Sequence, residues 1–513
     1  MQDYYADDIA QICEGTILCG SERAVARSCF IDSRDVLPGS LFAAFVGARV
    51  DGHDFLTTAV EGGASIALVS RDDLNYEQYA DSTTIILVAD VLTALQKLGA
   101  DQRSRLNCPV IGITGSSGKT STKELLKGAL DACYGDSDAV VATQGNYNNE
   151  LGVPLTLLRA DENTAAIIVE MGMRGLGQIT ELFHIAQPTI SIITTIGDAH
   201  VEMLGSRANI ARAKGEIFEA LESDQLAFMP QMVDYGDYLH EICPAILQTV
   251  FVEQAQGAPV DLQAPVQQPI PACIIARVTG FDSLGHATAL VKLPQVDSEL
   301  SMTMGIPGEH SVQNALLALA VTQSLGFDAH VAIKGIEAVQ PADMRMQRRD
   351  LESCGAARDV SILVDCYNAN PESTAASLKT LSVSQLKDNS TGLRIAVLGD
   401  MLELGQHSAK AHKDVLLLAG LLNIDLVYTL GPAYEQATQD VLRELATGRN
   451  LSDIPELRSF VDAGTLIRSL TRAVTTGSLV LVKGSRGMYM EHIVDALSEE
   501  KPPGDQVRGD TSC

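Results

Sequence analysis

Apolar and polar positions change their pattern three times along the chain. Residues 1–106 alternate short apolar runs, at 40–46, 65–69 and 83–88, with polar and glycine-bearing turns, which predicts a small α/β unit. From Cys108 the runs at 110–113, 165–169 and 189–194 are continuously apolar or β-branched. Strands read that way when helices cover both faces of a parallel sheet. Residues 230–307 carry fewer helical signals, including the Gln- and Pro-bearing stretch 253–275, and predict a strand-and-loop excursion within the central domain, with a flexible portion. After Pro341 the alternation restarts, with strands expected at 360–364, 394–398, 425–430 and 478–482 and helices between them, a doubly wound arrangement. The expected domains are 1–106, 107–340 and 341–513, with a disordered polar tail from about residue 501.

Length agrees with this division, because 513 residues make about three domains of roughly 150 residues each. Lys plus Arg is 37 against 65 Asp plus Glu, a formal net charge of −28. That excludes classes which depend on a Lys/Arg excess, namely nucleic-acid binders and proteins of anionic membrane surfaces. Small anionic ligands remain open. Asp3, Asp7 and Asp8 precede the first basic residue, Arg23, unlike a signal peptide, and apolar runs such as 85–88 and 315–321 are far short of a membrane span. A cytoplasmic protein without membrane insertion is therefore expected. The ten cysteines stand singly with no C-x-x-C pair, so reduced thiols and no zinc site are expected.

The sharpest local signal is the segment 110–120, an apolar strand running into Gly115-Ser116-Ser117-Gly118-Lys119-Thr120-Ser121 and then a helix with Leu125, Leu126, Ala129 and Leu130 on one stripe. Glycines let successive N–H groups curl around a phosphate at the helix N-terminus, Lys119 supplies a point charge, and Thr120 can hold Mg²⁺. Ile113 stands where a full Walker A has its first glycine, so this is a variant. A magnesium ion needs further oxygen ligands from neighbouring strand ends. Glu170, closing the run 165–169, is placed to be one, and His200, beyond the run 189–194, is either a ligand or a plain loop residue.

Residues 210, 214, 217 and 221 share one helical stripe, so Lys214 lies on an apolar face. A lysine so placed commonly packs its stem and sends its head to water. Full burial instead lowers its pKa, and a neutral amine can take up carbon dioxide as a carbamate, an anion suited to Mg²⁺.

Together these motifs resemble the Mur ligase family of ATP-dependent amide-bond ligases, over nearly the whole chain. Asp32-Ser33-Arg34 through Phe42, with Asp51-Gly-His53-Asp-Phe55, is similar to the family's UDP-binding domain. The resemblance implies that Ser33 and Arg34 lie near the nucleotide of a sugar substrate. The loop 143–154, with Asn146, Asn148 and Asn149, resembles the substrate and ATP-site loop. It further implies that Thr120, Glu170, His200 and a carbamoylated Lys214 hold magnesium, two ions being expected. In Gly308-Glu-His310-Ser-Val-Gln-Asn314 the resemblance makes Asn314 the reader of adenine, and a side-chain amide can pair with adenine N6 and N7.

In the third block, Arg345 matches an arginine brought to the ATP phosphates and Asp365 a nucleotide contact. Asn368-Ala-Asn370-Pro371, the run 398–405, and Lys483-Gly-Ser-Arg486 resemble the dipeptide-adding branch, whereas the Asp-Asn-Pro-Arg string of the diaminopimelate-adding branch is absent from the sequence. Cys366 replaces a usual Ser, and 253–268 has no counterpart.

The fold implied is three α/β domains: a small UDP-binding unit, a central P-loop ATPase-type parallel sheet, and a C-terminal Rossmann-like domain. The implied substrates are ATP, a UDP-N-acetylmuramoyl-tripeptide and D-alanyl-D-alanine, joined through an acyl phosphate by a monomer whose third domain closes on ATP. Two alternatives stay open: another acceptor on the same fold, as in folylpolyglutamate synthase, and a nucleotide-dependent switch.

Overall fold

The computed structural model describes residues 1–47, 50–253, 272–388, 390–446 and 455–498. The unplaced segment 253–268, apart from Glu253, and the tail from about 501 lie outside the described residues. Three principal sheets follow one another along the chain. The first has five strands in the order Thr16–Cys19, Thr84–Leu87, Ala64–Val69, Ser40–Ala43, Cys29–Phe30, parallel except at the first pair. Helix Val91–Ser104, capped by the Asp90 carboxylate on Thr93 N–H, buries Ala94, Leu95 and Leu98 against it.

The second sheet has nine strands. Strand Val110–Thr114, third from one edge, is flanked in parallel by Ala166–Glu170 on one side and Ile190–Ile193 on the other. All three are fully buried, which explains their largely apolar and β-branched composition. Because both neighbours come later in the chain, the crevice above their C-terminal ends is where ligands bind in such sheets. The excursion after residue 230 extends the sheet: Ile246–Glu253 and Ala272–Phe281 run parallel, then His286–Lys292 and Leu300–Pro307 turn antiparallel. Among the described residues the short helix Gly236–Ile242 interrupts it.

The third sheet has six strands in the order Gln347–Cys354, Ala357–Asp365, Leu479–Lys483, Arg394–Gly399, Leu426–Leu430, Glu456–Phe460. Its last five are parallel, as a doubly wound domain requires. The sequence pattern had not revealed the first strand, Gln347–Cys354, an antiparallel edge whose Arg349, Asp350 and Glu352 face solvent. Edge strands need little apolar patterning. Asn370 caps helix Pro371–Val383 in a reciprocal box with Ser373, with Pro371 at the first helical position.

Candidate active site

The crevice is built outward from strand Val110–Thr114. Gly115 has φ +156°, and a Cβ there would lie 1.9 Å from Thr194 Oγ1, so the loop can pass this point only as glycine. The loop is tied to the neighbouring strand's end by Ser116 N–H to Thr195 O at 2.9 Å, Ser117 N–H to Thr195 Oγ1 at 2.9 Å, and Gly197 N–H to Ser116 Oγ at 2.9 Å. Gly118, at φ +82°, opens helix Lys119–Tyr134, whose predicted apolar stripe is buried. A Cβ on Gly118 would come within 2.9 Å of Asn314 Oδ1, so Asn314, buried on helix His310–Ser324, lies against the phosphate loop. Ser121 is half-buried in the first turn.

Thr120 Oγ1 donates to Glu170 Oε2 at 2.8 Å, and Asn148 Nδ2 donates to Glu170 Oε1 at 2.8 Å. Glu170 is buried, and its N–H is held by Thr143 Oγ1. The loop that carries Asn148 is fixed further by Lys123 Nζ, which donates to Thr143 O, and by Asn149 Oδ1, which accepts from Gly152 N–H. Asn146 is exposed on the same loop.

Lys214 lies on helix Arg207–Glu219, fully buried, and its Nζ donates to Gly115 O at 3.0 Å. The head therefore does not reach water. Burial, then repulsion from Lys119, pushes its pKa well below that of a free lysine. Lys119 Nζ donates to the same oxygen at 2.7 Å, and its pKa is lowered by burial and by the nearby Arg345, against the pull of Glu170. The Arg345 guanidinium stacks 3.9 Å above the Tyr367 ring. The His200 pKa is pushed down mainly by burial, while Glu403, whose Oε2 is 2.7 Å from Nδ1, raises it.

A second group belongs to the third domain. Lys483 Nζ donates to Asp365 Oδ2 at 2.5 Å and to Asn368 O at 3.1 Å, and Ser377 Oγ donates to Asp365 Oδ2 at 2.6 Å. His310 of the central domain is close enough to feel both charges. Asn370 spends its carboxamide oxygen on its helix cap, and Arg486 pairs with Glu491 at 2.9 Å. In the first domain Ser33 is buried, whereas Arg34 is exposed and forked onto Asp32, which holds that carboxyl at about 2.

Sequence reasoning missed two inter-domain contacts. One is Glu403 on His200. The other is Arg207, which bonds Asp198 at 2.6 and 2.8 Å, Asp234 at 2.7 Å and Glu372 at 3.3 Å, while Glu372 Oε1 also accepts from Asp198 N–H. Their partners are up to 203 residues apart, beyond any local pattern.

A phosphate loop at the C-terminal ends of parallel strands, with Arg345 of a second α/β domain acting on its lysine, defines a nucleotide-phosphate site shared between two domains. Family models match in three pieces: the Mur ligase catalytic domain at residues 27–103, the Mur ligase middle domain at 113–322, and the glutamate ligase domain of Mur ligases at 344–486. The chain belongs to the Mur ligase family of ATP-dependent amide-bond ligases. It is 31% identical over 495 residues to the UDP-N-acetylmuramoyl-tripeptide–D-alanyl-D-alanine ligase of Bacillus subtilis, covering 96% of this chain and 98% of that one. The Synechocystis enzyme of that name is 33% identical over 472 residues, 92% of each chain. Among solved structures, MurF from Acinetobacter baumannii aligns with a TM-score of 0.77 at 27% identity, over 98% of this chain and 100% of that one. MurF ligase from Thermotoga maritima, in complex with ADP, aligns at 0.70 and 25%, over 92% and 97%.

Proposed function

We propose that the chain joins the amine of D-alanyl-D-alanine to the terminal carboxyl group of a UDP-N-acetylmuramoyl-tripeptide, giving the pentapeptide precursor of peptidoglycan. The observation that carries this reading is the phosphate loop faced by positive charge from two domains, Lys119 from one and Arg345 from the other. The first step brings a carboxylate onto a triphosphate, two anions, so catalysis rests on position and positive charge. A carboxylate oxygen attacks the γ-phosphorus, the bond to ADP breaks, and an acyl phosphate forms. The amine then attacks the acyl carbon, the bond to phosphate breaks, and the amine loses a proton.

In this reading Gly115, Ser116, Ser117, Gly118, Lys119, Thr120 and Ser121 hold the phosphates, Asn314 reads adenine, and Asp365 and Arg345 close on the nucleotide. Ser33 and Arg34 of domain 1–106 face the uridine nucleotide, and Arg34 must then exchange Asp32 for substrate. Asn146, Asn148, Asn149, Asn368, Asn370, Lys483 and Arg486 line the peptide path, Asn370 and Asn148 through the backbone and the Glu170 carboxylate they already hold. Domain 107–340 supplies the ATP site and domain 341–513 the dipeptide side. The chain acts as a cytoplasmic monomer.

Thr120 and Glu170 offer oxygen donors that suit Mg²⁺ and His200 offers a nitrogen, yet among the described residues no cluster of three His, Cys, Asp or Glu side chains is present. Glu170 acts on Lys119, and Lys119 and Lys214 in turn act on His200. A carbamate on the buried Lys214 would supply the second anion, and with it the donor set would suit a two-ion site. Magnesium bound there would neutralise the triphosphate and the developing acyl phosphate.

The test follows an oxygen atom. Tripeptide labelled with ¹⁸O in its terminal carboxylate should transfer one labelled oxygen to the released phosphate; unlabelled phosphate would refute the acyl-phosphate route.

A further inference from the structure

His200 and Glu403 lie in different domains and meet at 2.7 Å, Nδ1 to Oε2. The contact is held from both sides. His200 stands at φ +64° directly before the short helix Val201–Leu204, and Glu403 at φ +61°, so both backbones are fixed in the sparsely populated left-handed region. Glu202 N–H donates to Glu403 O at 3.2 Å, and a Cβ on Gly405 would touch Glu202 at 3.2 Å, so the two segments run against each other through backbone as well as side chain.

The Glu403 loop is also anchored within its own domain. Met401 N–H donates to the buried His412 Nε2 at 2.9 Å, and Leu402 N–H to Ser485 Oγ at 2.9 Å. Asp400 accepts from Ala433 and Tyr434 N–H. The loop is thus a rigid part of the third domain, and Glu403 arrives at His200 only when that domain is docked.

With Glu403 Oε2 as the acceptor the proton in this bond belongs to Nδ1, which in a neutral ring leaves the lone pair on Nε2. Carboxylates that bond the far nitrogen of a metal-binding imidazole fix its tautomer and ring orientation. Among the described residues Nε2 has no hydrogen-bond partner, and the ring senses Lys119 and Lys214, the two lysines that meet at Gly115 O.

We infer that Glu403 is a positioning residue which, on docking of the third domain, locks His200 in the Nδ1–H tautomer and so completes the magnesium site from across the domain boundary. This rests on the reading of His200 as a metal ligand. Docking and metal-site assembly then become one event: an undocked domain leaves His200 free to rotate and to carry its proton on either nitrogen.

Two readouts besides activity test it on the full chain with ADP present. The His200 tautomer is read by ¹⁵N NMR of ring nitrogens, assigned among the ten histidines by the signals that His200→Asn removes. Affinity for Mn²⁺, used as probe ion, is read by paramagnetic resonance. Glu403→Ala should abolish the single tautomer and weaken Mn²⁺ binding about 10- to 100-fold. Glu403→Asp, one methylene short of the ring, should do the same. Glu403→Gln, whose Oε1 still accepts from Nδ1–H, should restore most of both. If His200→Asn weakens Mn²⁺ binding while Glu403→Ala and Glu403→Asp leave tautomer and affinity unchanged, the inference falls and the ligand assignment stands. If His200→Asn itself leaves Mn²⁺ affinity unchanged, the ligand assignment falls and the inference with it.

Discussion

Lys119 and Lys214 converge on a single acceptor, the Gly115 carbonyl oxygen, 2.7 Å from one Nζ and 3.0 Å from the other. Neither lysine forms an ion pair among the described residues, so two amines share one neutral oxygen in a buried crevice, and the charge of Lys119 lowers the pKa of Lys214. Conversion of Lys214 to a carbamate would turn this repulsion into attraction. Lys214→Ala should therefore lower kcat on the order of a hundredfold or more, as loss of a preorganised charged group does. Added short carboxylic acids should partly restore it, whereas a fully active Ala variant would refute the role.

Burial of Lys214 also makes a stability prediction with a definite sign. Its folded pKa lies below 10.5, so in that window the unfolded chain binds a proton that the folded chain does not, and stability rises with pH. In carbon-dioxide-free buffer Lys214→Met should therefore raise Tm. The gain should be full below the folded pKa, shrink by at most about 1.4 kcal/mol per pH unit above it, and vanish near 10.5. Denaturant melts across that range measure it.

Arg207 clasps the two domains through Asp198 and Glu372. Its side chain is 37% exposed, so solvent weakens the clasp. Arg207→Ala should still cost about 1–2 kcal/mol of docking, shifting the closed-to-open ratio roughly 5- to 30-fold. A larger radius of gyration in small-angle scattering and faster tryptic cleavage would report it.

Asn314 abuts the phosphate loop at Gly118. Asn314→Ala should raise the KM for ATP about tenfold and reduce the preference for ATP over GTP, since a bidentate amide contact to adenine contributes about 1–3 kcal/mol of discrimination. Steady-state assays with both nucleotides measure it.

Much of this was legible in the sequence. The strands at 110, 166 and 190 announced themselves because burial on both faces forces continuous apolar composition. The helix period placed Lys214 on the apolar face, and the structure buries the amine there instead of sending it to water. Edge strand Gln347–Cys354 escaped because a solvent-facing edge carries charges at the positions a pattern would use. Glu403 and Arg207 escaped because their meaning lies in partners contributed by another domain. The pairing of Arg34 with Asp32 was adjacent in sequence, yet only coordinates reveal that the guanidinium is engaged.

The central claim is that ATP is split only to make an amide bond. Phosphate release measured with UDP-N-acetylmuramoyl-tripeptide, with and without D-alanyl-D-alanine, tests it most directly. Sustained turnover is predicted only when the dipeptide is present, with one phosphate released per pentapeptide formed. Equal release in its absence would contradict the ligase and favour a nucleotide switch.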